Sequence, residues 1–385
     1  MLIINAAKIY NPDGEEKQVA IHIDNGIIKK ITDVLDDDTN ENIIDLKGAY
    51  ITPGFIEPSC SIGVSEQIYR FEGNDANETS SPILPGLRAI DAINPLDEGF
   101  KMALASGITT VITGPGDANV IGGTFAAMKT AGKNLDDMII EPEIAMKFVF
   151  GNAPKAYYKK SGNMPGTRMA IAYLIRENLI RAKEYKRAKE LAKNDSKNIQ
   201  KFDMHLESLS KVFDGMQVKI TAHQDYDIET AIRIAKEFDL NFVIDRCTEG
   251  YRIPELLKDL NIIAAGPIYG GKRIHEIRNR DPILGKVFES NEIDFCLSTG
   301  HPSTNIDMNI LQAIMMIDKG LSKKTALKAM TINAAKCVGL EERIGSIEIG
   351  KEADIVVWDS EPFDYYSFVD RVFINGNEVY RREES

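Results

Sequence analysis

Short β-rich runs alternate with helical patterns through the middle of this 385-residue chain, and no other feature limits its fold as strongly. ITTVIT (108–113) follows a helical stretch from about Leu96 to Ser106. Val218–Ala222 precedes a helix with Asp227 as its expected cap and Ile228, Ala231, Ile232, Ala235 and Phe238 on one face. Asn241–Ile244, Asn261–Ala265 and Asp294–Leu297 repeat the rhythm, and a helix from about Ile306 to Lys319 closes it. Alternation over roughly 290 residues predicts a (β/α)8 TIM-like barrel, which typically takes about 250 residues plus insertions. One insertion is visible at about 168–214, where the chain reads as two helices without a strand. The first helix is basic, but Glu184, Glu190 and Asp195 interleave with its lysines and arginines, so it reads as a solvated face.

Both ends of the chain read differently. LIINAAKIY alternates, NPDGEE turns, and VAIHIDNGIIKKITDV gives two strands about Asn25-Gly26 before IIDLKGAYITPGF. At the far end 345–350, ADIVVWD and 371–380 are again short strands with turn signals. Neither cluster is large enough to stand alone, so they are expected to pair. The predicted organisation is a composite β-sandwich from 1–52 and 345–385 around a barrel at 53–344.

A net charge of −12 argues against binding phosphate backbones or anionic lipid. No segment carries the roughly 18–20 apolar residues of a membrane span, and the first residues lack a signal-peptide pattern. Cys60, Cys247, Cys296 and Cys337 form no CxxC pair and read as free thiols, which predicts a cytoplasmic protein.

Pro53-Gly54-Phe55-Ile56 and GSIEIGKEADIVVWD resemble the entry and exit motifs of the amidohydrolase superfamily. FEGNDANETSSPILPGLRAIDAINP (71–95), TGPGDANVIGG (113–123), MKFVFGNAPK (146–155), GTRM (166–169) and GPIYGGKRIHEIRN (266–279) extend the resemblance along the chain, nearest to the imidazolonepropionase branch. The resemblance implies hydrolysis of C–N bonds other than peptide bonds, at the C-terminal mouth of the barrel. It also implies zinc or another divalent metal, held by His-x-His on strand 1, a carboxylated Lys on strand 4, one His each on strands 5 and 6, and an Asp on strand 8.

This chain departs from that ligand pattern. Ser59 and Ser61 occupy the His-x-His places, Thr221 the strand 5 place, Arg246 the strand 6 place and Gly300 the strand 8 place. Only Lys147 is retained. Hydroxyls are poor zinc ligands, and a guanidinium repels a cation. The five histidines, at 22, 205, 223, 275 and 301, contain no His-x-His, so no shift of alignment restores the set. No metal cofactor is expected.

What remains admits several readings. Lys147 and Arg246 could bind an anionic ligand, or Arg246 could pair internally with Glu57 or Asp245 and fill the space. His223 could serve Ser59 or Ser61 as a base, could join His301 in a new metal site, or could be structural. Cys60 and Cys247 are expected to face the barrel–helix layer by strand alternation. GPGDANVIGG lacks a full phosphate-loop fingerprint. The resemblance marks Glu72, Asn74, Asp75, Asn77, Glu78, Arg88, Asn119, Lys272 and Arg278 as retained loop residues. All of these but Glu78, together with His301, form the candidate binding set for a small polar or anionic molecule. Three functions follow: a pseudoenzyme or small-molecule binder, a metal-independent hydrolase or lyase using Lys147, His223 and Arg246, or a non-catalytic partner of an active homologue. A homodimer is compatible with each.

Overall fold

The computed structural model describes residues 1–11, 17–35, 42–67, 71–159, 162–194, 201–260, 262–269 and 275–383. Most of the expected NPDGEE turn, and Lys272, lie outside the described residues.

Eight strands line up side by side as the barrel wall: β6 (Phe55–Cys60), β7 (Ile108–Thr113), β8 (Ile121–Lys129), β9 (Ile139–Val149), β10 (Gln217–Ala222), β11 (Phe242–Arg246), β12 (Ile263–Ala265) and β13 (Phe295–Leu297). The wall nearly closes on itself, because the Ser61 N–H donates to the His301 carbonyl at 2.8 Å, joining the segments that follow β6 and β13. This TIM-like barrel departs from the strict alternation the sequence suggests. β8 runs antiparallel to both β7 and β9, so the third strand is a hairpin arm and not a β–α crossover.

Side-chain alternation divides the wall into two faces. Ile56, Ile112, Phe125, Ala127, Ala145, Val243, Ile262, Ala264 and Cys296 share an apolar cluster inside the barrel, with residues of the helix Ile332–Cys337 and the segment after it. Their neighbours Phe55, Met146, Phe148, Val218, Ile220, Ile244, Ile263 and Phe295 pack in the larger core against the helices. Cys60 and Cys247 belong to that outer core, as expected, although for Cys247 it is left-handed backbone at Arg246 and Cys247 and not plain alternation from Asp245 that turns it outward. All four cysteines are free and buried.

Helices fall close to their expected places. The first runs Glu98–Ala105, capped by Asp97, whose side chain accepts the Gly99 N–H. The helix after β10 runs Asp225–Glu237. Its N-cap is Gln224, and Asp227 sits inside the first turn, so the expected capping role of Asp227 is corrected. The insertion holds helices Arg168–Asn194 and Met204–Ser210. A cleft of about 960 Å³ beside the longer one sets Lys183, Lys186 and Arg187 among Glu184, Glu190, Glu237 and Asp239, a mixed surface.

Both termini build one further sheet. β1 (Leu2–Ile9), β2 (Gln18–Asp24), β3 (Ile27–Thr32), β4 (Asn42–Asp45) and β5 (Tyr50–Pro53) join β14 (Ile355–Trp358), β15 (Val369–Ile374) and β16 (Asn377–Arg381) through the antiparallel pair β5–β14. Asn25 and Gly26 turn between β2 and β3 with φ of 49° and 80°, the double left-handed pair that suits a tight hairpin. Ile4, Ile21, Ile51, Ile355, Val357 and Phe373 form this sheet's own core. No described helix is long and apolar enough to cross a membrane.

Candidate functional site

At the C-terminal mouth the inward positions change from apolar to charged. Continuing the inner faces upward, β9 presents Lys147, β10 presents Lys219 and Thr221, and β11 presents Asp245, with Lys219 in register with Lys147 and Thr221 with Asp245. Both ammonium groups stand over the Phe125 ring, at 5.4 Å for Lys147 and 5.3 Å for Lys219, so an aromatic face separates the charges from the apolar interior.

Arg246 follows Asp245 directly and by alternation should face the helices. Left-handed backbone at Arg246 and Cys247, φ 73° and 44°, lets it join the interior instead. Such φ values are uncommon for residues with a Cβ and persist where the surroundings enforce them. Its guanidinium donates to the Ser59 carbonyl and to Ser298 Oγ, both at 3.4 Å, and lies 3.9 Å from Asp245 Oδ2. A Cβ at Gly300 would stand 2.2 Å from Arg246 Nη1. The glycine at the strand 8 place and the arginine at the strand 6 place therefore fit each other, and a larger residue at 300 would require this guanidinium to shift.

Asp245 Oδ2 is the hub. It accepts from Ser59 Oγ at 2.8 Å and Thr221 Oγ1 at 3.3 Å and lies 3.7 Å from Lys147 Nζ. Burial pushes its carboxyl upward, but Arg246, Lys147 and Lys219 outweigh that and hold it well below the usual range. Asp117, from the loop after β7, binds Lys147 at 2.8 Å. Despite burial, Lys147 and Arg246 hold Asp117 down to about 2. Glu57 accepts Ser298 Oγ at 2.6 Å and the Thr299 N–H and hydroxyl at 2.9 and 2.8 Å, and burial raises it against those bonds. Lys219 donates to the Pro58 carbonyl. Three cations thus oppose three carboxylates on one floor.

His223 lies above this floor, half-buried, with Nδ1 2.7 Å from the Thr248 hydroxyl. Burial, with Arg246 and Lys147 nearby, lowers it to about 4 against the pull of Asp117, so the imidazole is neutral near pH 7. His301 is buried and also lowered by burial to about 4. Its Nε2 is 3.5 Å from the Gln67 amide, and Nδ1 has no partner among the described residues.

Lys147, Arg246, Ser59 and Thr221 are thus brought together, with His223 over them, while Ser61 donates to the Gly114 carbonyl at 2.8 Å. The loop residues divide. Asn119 is buried and its amide donates to the Glu78 and Ser81 carbonyls and the Tyr158 hydroxyl, and Asn77 accepts the Ala118 N–H, so both brace loops. Glu78 accepts the Ser80 N–H. Glu72, Asn74 and Asp75 are exposed on the loop after β6. Arg88 makes a two-pronged pair with Asp91 at the surface, and Arg278 pairs with His275. Asp117, Lys219, Ser298, Thr299 and Phe125 were not anticipated. Lys219 could have been, since it stands two residues before Thr221 on one strand face, whereas nothing in the spacing connects Asp117 to Lys147.

The donor set does not suit a dication. All three hydroxyls at the old ligand places donate to oxygens of the protein, Asp117 and Asp245 already face cations, Glu57 is held by Ser298 and Thr299, and Arg246 fills the space beside Gly300. Among the described residues no three His, Cys, Asp or Glu side chains converge as metal ligands.

Comparison with known proteins decides the family. An amidohydrolase crystal structure from Thermotoga maritima MSB8 superposes with a TM-score of 0.95 and 33% identity, covering 99% of this chain and 100% of that one. The chain belongs to the amidohydrolase superfamily. The profile of the Amidohydrolase family also matches residues 277–379. Amidohydrolase tasK of Hapsidospora irregularis is 27% identical over 364 residues, 87% of this chain but 37% of that protein. An imidazolonepropionase of Fusobacterium nucleatum is 34% identical over 106 residues, a quarter of each chain. The chain therefore spans well under two thirds of these two relatives, and its similarity within the superfamily runs toward the imidazolonepropionases.

Proposed function

We propose that this amidohydrolase-superfamily protein has replaced the family's metal-dependent hydrolysis of C–N bonds with the binding of a small polar molecule at the barrel mouth. The observation that carries this reading is the fit of the Arg246 guanidinium into the space that Gly300 leaves, 2.2 Å from where a Cβ would stand. That cation, with Lys147 and Lys219, supplies the positive charge that a metal would otherwise bring to Glu57, Asp117 and Asp245. Since the floor is charge-balanced, ligand recognition falls to groups that reach solvent, above all Asp117, whose side chain is 28% exposed, and His223. A polar molecule without large net charge suits such a surface better than a strong anion.

Metal content of tag-free protein grown with added zinc and manganese tests the first half of this reading. We expect less than about a tenth of an equivalent per chain, since ligand substitution removes the binding free energy. Near-stoichiometric metal overturns it. Thermal shift against cyclic amides, ureido acids and dipeptides tests the second half, and uniformly absent shifts count against a retained pocket.

A second reading is favoured by one observation, the neutral His223 close to Asp117 and within the field of two cations. A neutral imidazole can accept a proton while Lys147 and Arg246 stabilise developing negative charge, which is metal-independent hydrolysis. Turnover that survives exhaustive chelation and disappears in His223→Gln would establish it over binding alone.

A further inference from the structure

Beyond the charged floor, three loops meet at a second pair of carboxyl groups. Gly151 follows β9 with left-handed backbone, φ 95°. A Cβ there would stand 2.2 Å from Glu276 Oε1 and 3.1 Å from Asp227 Oδ2, so both oxygens border the space the missing side chain leaves. Glu276 belongs to the helical turn His275–Ile277 on the loop after β12, and Asp227 to the first turn of Asp225–Glu237 after β10. Each is only 3% exposed.

Their partners are unequal. Glu276 Oε1 accepts the Asn152 N–H at 2.6 Å. Asp227 Oδ1 accepts from Arg168 Nε at 2.7 Å, but Asp227 Oδ2 is buried with no hydrogen-bond partner among the described residues. A buried carboxylate oxygen without a donor is costly, and two ionised carboxylates bordering one small space repel.

The charged surroundings do not remove the conflict. Asp227 and Asp117 face Glu276 as like charges, and Arg168 as the opposing one. Asp227 is faced by Arg168, Lys155 and Asp225. On the Glu276 segment itself, His275 and Arg278 pair with each other, and Asn279 donates to Glu249 Oε1 at 2.6 Å. Arg168 is in turn held by Gln224 and stacks on Tyr226, 4.9 Å from the ring centroid. Burial, reinforced by Asp227 and Asp117, pushes Glu276 up to about 7, and burial also raises Asp227.

We propose that Glu276 and Asp227 hold one proton between them at neutral pH, and that this proton latches the loop carrying residues 275–279 to the loops after β9 and β10. The proton resides on Glu276 and is directed into the space beside Gly151 toward Asp227 Oδ2. Its loss to solvent leaves two carboxylates, which drive the segment 275–279 away from the loops after β9 and β10 and loosen the mouth. The latch is a property of the loops and holds whether the floor binds metal, a small molecule or nothing.

Hydrogen–deuterium exchange of the full chain at about pH 6 and about pH 8.5, corrected for intrinsic exchange, reads the latch directly. Peptides covering 275–282 and 150–158 should lose protection by about tenfold per pH unit above the transition, while the β10 and β11 strands do not change. Glu276→Gln carries a permanent neutral donor and should keep those peptides protected at both pH values. Asp227→Asn removes the like charge and should move the wild-type transition to lower pH, which keeps the proposal testable if Glu276→Gln does not fold. Protection of these peptides that is independent of pH in the wild type, or an unchanged transition in either variant, overturns the proposal.

Discussion

Arg246→Met separates an internal charge balance from a ligand-binding arginine. Methionine keeps much of the volume and removes the charge. Arg246 is 7% exposed and 3.9 Å from Asp245, a separation worth about 4 kcal/mol at an effective dielectric near 20 before desolvation is counted. Lys147, at 3.7 Å from the same oxygen, compensates part of the loss. The net cost should therefore lie near the low end of the roughly 3–5 kcal/mol seen when one member of a buried pair is removed. Urea unfolding at pH 7, comparing midpoints and slopes, measures it. Asp245→Asn alone should also destabilise, but the double variant should recover most of the loss, because Ser59 and Thr221 can still hydrogen-bond an amide. Arg246→Met within about 0.5 kcal/mol of the wild type would refute the reasoning. So would a stabilisation by phosphate or acetate that the variant loses, because it would make Arg246 an anion site.

Gly300→Ala should cost more than about 2 kcal/mol, since its Cβ meets Arg246 Nη1 at 2.2 Å and its φ is 59°. In an Arg246→Ala background only the left-handed backbone cost of about 1 kcal/mol should remain, and equal losses in both backgrounds would show that the two residues do not share this space. His301 gives a pH dependence of known sign. The unfolded chain takes up its proton near pH 6.5 and the native protein only near 4, so falling pH favours unfolding through that window. Wild-type stability should fall by up to about 3 kcal/mol more than that of His301→Gln between pH 7 and pH 4, as read by denaturant titration at each pH.

What the sequence makes legible follows the range of the forces involved. Asn25-Gly26 marks its hairpin because the turn needs left-handed residues at those two positions, whatever the rest of the chain does. ITTVIT is a strand at 108–113 as read, since its β-branched residues favour extended backbone locally. The reversed direction of β8 was not legible. Its alternation is the same whether it pairs parallel or antiparallel, and only its neighbours decide. Asp227 looks like a cap because it precedes an amphipathic run, yet the helix starts two residues earlier and Arg168, 59 positions away, takes its carboxylate.

The charged floor combines both kinds of information. Alternation alone puts Lys147, Lys219, Thr221 and Asp245 on the inner face, and a lysine pair inside a barrel already demands carboxylates nearby. Asp245 is one such carboxylate and is readable from its own strand. Asp117 is not, because the loop after β7 brings it to Lys147 through the fold and not through spacing. The inward turn of Arg246 opposes alternation from Asp245 and depends on left-handed backbone at two consecutive non-glycine residues, so only the family resemblance places it at the mouth. Arg246 and Gly300 are nevertheless coherent when taken together. A Cβ at 300 would stand 2.2 Å from Arg246 Nη1, so an aspartate there would compete with the guanidinium for the same volume. On the proposed reading the two residues act as one unit, and Gly300→Asp or Arg246→His alone should destabilise the barrel without creating a metal site.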